Sequence, residues 1–166
     1  MKKKILLLSI FMVMLLTGCD GGVHEVKNIS DFETTAKSNG FSVVNNKDSY
    51  GEVSYIKEAV KATTSDIVIE MIVYDNADDA EKVLEEHIKS FNLLKSTGAA
   101  EKKQTGDNYH KYFLISNNYY MVSSRIDNTL IFCKTLVTNK ESVDLILLCD
   151  LIRQHEYLLI VFLLQH

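Results

Sequence analysis

Apolar residues along this chain recur at two periods, and the alternation between them outlines the elements. Ser30-Asp31-Phe32-Glu33 reads as a capping box, so a helix is predicted from there to about Asn39, with Gly40 as its stop. Phe41 to Asn46 reads as a short strand, Asn46-Lys47-Asp48-Ser49 as a turn, and Gly51 to Ala62 as a second strand. Ile67 to Tyr74 (IVIEMIVY) is almost wholly apolar, which predicts a central strand. After Asp75, Ala80, Val83, Leu84, His87, Ile88 and Phe91 fall at three- and four-residue steps, an apolar helical stripe that Gly98 closes. Ala99 to Gln104 follows as a strand, ending at the turn Thr105-Gly106-Asp107-Asn108.

Tyr109–Ser116 and Tyr119–Ile126 form a predicted hairpin across Asn117-Asn118, because asparagine tolerates positive φ. Pairing across that turn sets Ile115, Phe113 and Tyr109 beside Tyr120, Val122 and Ile126. At the next connection a three-residue loop, Asp127-Asn128-Thr129, would put Leu130, Phe132 and Leu136 on that face; a two-residue loop would turn Ile131 and Cys133 there instead. The three-residue loop is the preferred reading. Thr138-Asn139-Lys140-Glu141 then starts a helix as Asp75-Asn76-Ala77-Asp78 does 63 residues earlier, and at that offset Ile67/Leu130, Ile69/Phe132, Val73/Leu136, Ala80/Val143, Val83/Ile146 and Leu84/Leu147 align. The expectation is an α+β domain, an antiparallel sheet with helices packed on one face, suggestive of a duplicated helix-plus-three-strand unit.

The beginning of the chain has a different character. Lys2, Lys3 and Lys4 precede an apolar run, Ile5 to Leu16, broken only by Ser9. Twelve residues are too few for a bilayer core that needs about 20, but they have the size of a secretory signal's apolar region. Leu16-Thr17-Gly18-Cys19 resembles the lipobox of bacterial lipoprotein precursors. The resemblance implies a diacylglyceryl group on the Cys19 sulfur, with cleavage of the Gly18-Cys19 bond. Two acyl chains give stable anchoring where one holds only marginally. The implied organisation is a signal peptide at 1–18, a tether at 19–27, one domain at 28–150 and an apolar tail at 151–166. The expected address is the extracytoplasmic face of the cell membrane.

Removal of the leader leaves 148 residues, enough to bury a core without staples. It also leaves 15 basic against 22 acidic side chains, a net charge of about −7 that argues against nucleic acid and against electrostatic attraction to anionic lipid. The chain has no proline, where average usage would give about eight, so no rigid stalk is present. Leu145 to Leu164 contains Asp150, Arg153 and Glu156, each costly at a membrane centre, and is not expected to span. Its last apolar run, Tyr157 to Leu164, reads either as a docked strand or helix end or as a tail from an altered reading frame.

Candidate chemistry is sparse. His24-Glu25 and His155-Glu156 begin like HExxH, but Asn28 and Leu159 stand where the second histidine must be, so no metal site is expected. No nucleophile elbow, phosphate loop, dinucleotide fingerprint or Cys-x-x-Cys occurs. Asp78, Asp79 and Glu81 read as an acidic helix start. Cys133 and Cys149 are either a disulfide or two buried thiols, and His87 reads as a satisfied core residue. His110, Tyr112 and Arg125 share one hairpin face, as a small polar patch or as an ordinary solvated surface. With no catalytic residue or cofactor assigned, the expectation is a membrane-anchored, non-catalytic module binding an extracytoplasmic protein or small ligand. The alternative is an enzyme with a dispersed active site. A flat sheet face with exposed aromatics would favour the first, and a deep cleft with convergent ionisable groups the second.

Overall fold

The structure, a computed structural model, describes residues 23–147. Cys149, the 151–166 tail and the Gly18-Cys19 lipobox lie outside the described residues. The elements run α1 (Ile29–Ser38), β1 (Ser42–Asn45), a 3₁₀ turn (Lys47–Tyr50), β2 (Ile56–Thr63), β3 (Val68–Tyr74), α2 (Ala77–Leu93), β4 (Ala100–Thr105), β5 (Tyr109–Ser116), β6 (Tyr119–Ile126), β7 (Thr129–Leu136), a 3₁₀ turn (Val137–Asn139) and α3 (140–147). The strands form one antiparallel sheet in the order β1-β2-β3-β7-β6-β5-β4, so β3 is interior, as its apolar run predicts.

Local chemistry explains the boundaries. Asn28 caps α1, its side chain accepting from the Asp31 amide, so the helix starts two residues before the predicted Ser30. Asn76 does the same for α2 through Asp79, one residue after the predicted Asp75. The β5–β6 hairpin matches its prediction residue for residue, with Asn117 and Asn118 at φ 50° and 66°. The next turn corrects a prediction. Ile126 pairs with Thr129, so the loop has two residues, and Val122 faces Cys133. Asp127 makes this possible by taking φ 48°. Ile131 and Cys133 therefore share the face of Tyr120 and Val122, while Leu130, Phe132 and Leu136 turn to the other.

The two faces carry different helices. Phe32 and Ala36 of α1 and Val143 and Ile146 of α3 pack with Ile69, Met71, Val122, Ile131 and Cys133. Ala80, Leu84 and Phe91 of α2 pack with Ile72, Tyr74, Leu130, Tyr112, Leu114 and Met121 on the opposite side. The fold is the expected antiparallel α+β type, but its helices cover both faces rather than one.

That arrangement also decides the meaning of the internal echo. Ile69 lies opposite Cys133 and Glu70 opposite Phe132, and residues paired across a ladder share a face. Ile69 and Phe132, aligned by the 63-residue offset, therefore point to opposite faces. The order strand, cap, helix recurs, yet α2 and α3 go to opposite sides. The first unit has three strands after its helix and the second has four.

Candidate functional site

The predicted polar patch lies beneath α2. His110 is opposite Arg125 in the β5–β6 register, and both meet one carboxylate from the helix above. His110 Nδ1 is 2.8 Å from Glu81 Oε1, and Arg125 Nε forms an ion pair with Glu81 Oε2. Arg125 Nη1 also donates to the carbonyls of Asn108 and Asp127, at 3.3 and 3.1 Å. Tyr112 is not in this cluster. It is fully buried further along the hairpin and donates to Asn92 Oδ1 at 3.0 Å. Burial, with Glu101 nearby, pushes its phenol up to about 12.

Between these contacts His87 Nδ1 lies 3.0 Å from Ser123 Oγ, its ring tilted against Phe132. Burial lowers its pKa, keeping the imidazole neutral. Glu81, His87 and Asn92 thus form a polar seam along one side of α2, each side chain answered by the hairpin below. The sequence reading missed Glu81 because an acidic residue in a first helical turn already has an explanation in the macrodipole. Its signal was its position: Glu81 precedes Leu84 and Ile88 by three and seven residues, at the edge of the apolar stripe.

Other ionisable groups in the core are similarly engaged. Tyr120 donates to Asp144 Oδ1 at 2.7 Å, tying α3 to β6, and Tyr50 donates to Glu70 Oε2 at 2.7 Å. Burial raises both phenols well above their ordinary range. Cys133 is a free, buried thiol that desolvation pushes up to about 12, the reverse of an activated nucleophile. Among the described residues no three His, Cys, Asp or Glu side chains gather as a metal-ligand set, and no helix is long and apolar enough to cross a membrane. A shallow depression lies between Lys27, Ser124, Ile126, Thr129, Ile131 and Leu147; Lys27 Nζ there donates to the Ile146 carbonyl at 2.7 Å.

The remaining feature is the part of the α2-side sheet surface around the start of β3 and the end of β7. Val68 stands opposite Lys134 by continuation of the β3–β7 register, and Leu136 pairs with Tyr119. Lys134 Nζ lies 5.2 Å from the centre of the Tyr119 ring. Leu94 joins the same edge, its carbonyl accepting from Ser116 Oγ and Asn117 Nδ2. Val68, Leu94, Tyr119 and Leu136 are each more than 40% exposed, and neighbouring Leu93 is 88% exposed. Exposed apolar side chains therefore gather around Lys134 at one end of the sheet.

No protein-family model matches the chain, nor does any curated protein. Among solved structures, a GTP-binding regulator from Thermotoga maritima is similar, with a TM-score of 0.43 and 19% identity over 72% of this chain and 84% of that one. A likeness that distant carries no functional implication.

Proposed function

We propose that this chain is a membrane-anchored extracytoplasmic lipoprotein whose single domain binds another protein without catalysis. The Leu16-Thr17-Gly18-Cys19 lipobox behind a short apolar leader supports the anchor. The observation that carries the binding reading is the open surface of Val68, Leu93, Leu94, Tyr119 and Leu136. A sheet face of this kind offers area rather than enclosure, which suits a protein surface better than a small molecule. An enzyme with a dispersed site would draw on Glu81, His110, Arg125 and His87, but Glu81 holds His110 and Arg125 across the α2–hairpin seam and His87 is bonded to Ser123.

The test compares capture of partners by the membrane-anchored protein with capture by Tyr119→Asp and Leu136→Asp variants. The same partner should be retained by the parent and by a Lys37→Ala control, and be lost from both variants at an unchanged unfolding midpoint. Equal retention by all four proteins would remove this surface from the account.

A further inference from the structure

The open surface lies at one end of the sheet, and the chain leading from the lipid is fixed at the other. His24 N donates to Asn108 Oδ1 at 2.9 Å, and Asn108 Nδ2 returns a bond to the His24 carbonyl at 2.8 Å. Two antiparallel bonds to one side-chain amide reproduce a step of a β-ladder. Asn108 Nδ2 is also 3.2 Å from Asp127 Oδ2, and the Asp127 amide donates to the Asn108 carbonyl at 2.7 Å. The His24 ring sits edge-on to the buried Tyr109 at 4.1 Å, and Lys27 reaches the end of α3. The segment from His24 to Lys27 is thereby secured where the β4–β5 and β6–β7 turns meet.

Cys19 precedes His24 by five residue steps, at most about 18 Å when fully extended. From Tyr109 to Ser116, β5 carries the chain about 24 Å to the Asn117-Asn118 turn at the far end of the sheet. Tyr119, Leu136 and Val68 are at that far end, and Leu94 is bonded to its turn.

We infer that the Asn108–His24 clamp, acting through the short tether, sets the domain's orientation on the bilayer. The β4–β5 and β6–β7 turns face the lipid headgroups, and the Leu93–Tyr119–Leu136 surface points away from them. This rests on the lipoprotein reading, since it needs the acyl chains on Cys19. It adds that the partner approaches from the side opposite the membrane.

The experiment uses the mature, lipid-bearing protein in phosphatidylcholine vesicles containing a headgroup-nitroxide lipid, in a Cys149→Ser background. A fluorophore is attached at Asp107→Cys, in the β4–β5 turn, or at Leu93→Cys. Cys133 is buried and does not take the label in the folded protein. Quenching should be several-fold stronger at position 107 than at 93. Inserting about twenty Gly and Ser residues between Gly22 and Val23 should erase the difference, because such a linker reaches roughly as far as the domain is long. Equal quenching at both positions in vesicle-bound protein, or a difference that survives the insertion, overturns the orientation while leaving the anchor intact. Loss of the protein from the vesicles irrespective of Cys19→Ser would instead overturn the lipoprotein reading, and the orientation with it.

Discussion

At the scale of single residues, the domain uses its ionisable groups to hold itself together. Glu81 carries the clearest case, because one carboxylate answers both His110 and Arg125 while Arg125 remains only 13% exposed. Replacing it with glutamine removes the charge that compensates the guanidinium, and removal of one partner of a largely buried pair is costly. Glu81→Gln should lose about 1–3 kcal/mol in urea unfolding, and adding Arg125→Met should recover part of that loss. A loss that simply adds in the double variant would show that the two side chains do not interact. His87 gives a pH dependence whose sign follows from its lowered pKa. The unfolded chain binds a proton near 6.5 while the folded domain resists it, so the stability contribution is complete above that value and falls as the solution is acidified through the lower, folded pKa. The melting temperature should therefore drop between about pH 7 and about pH 5, less steeply in His87→Gln.

At the scale of elements, legibility depended on how many conformations each local signal allowed. The Asn117-Asn118 hairpin was readable in full, because adjacent asparagines between alternating strands admit one tight turn and one register. The following turn was not. Asp127-Asn128-Thr129 accommodates loops of two or three residues, and only Asp127's positive φ chooses between them. That single residue decides whether Cys133 or Phe132 faces α3. Helix starts were located within two residues, since Asn28 and Ser30, or Asp75 and Asn76, are all competent caps. Asn28→Ala should cost about 1 kcal/mol, whereas Ser30→Ala, inside the first turn, should be close to neutral in the same denaturant titration. Equal costs would place the cap at neither residue. The side of the sheet chosen by each helix was not legible, because an apolar stripe says that a helix packs but not on which face.

At the scale of the whole molecule, the described domain has two unlike ends. One holds the segment from His24 to Lys27, the Asn108 clamp and the turns that it binds, and the other bears the surface of Leu93, Tyr119 and Leu136. The seam beneath α2 fixes the helix that runs between them, so the partner proposed for the open end would meet a preformed surface and lose little to ordering. The polar patch anticipated on the hairpin turned out to be part of that internal scaffold. The open surface had no sequence signature of its own, since Val68, Tyr119 and Leu136 look like ordinary strand residues until the path of α2 shows which of them stay uncovered. The orientation and the binding reading both rest on the proposed lipid foot at Cys19. The most direct test is the intact mass of the protein isolated from its native host. The account predicts a chain beginning at Cys19 and carrying a diacylglyceryl group. A chain with unmodified Cys19 and its leader still attached would contradict it.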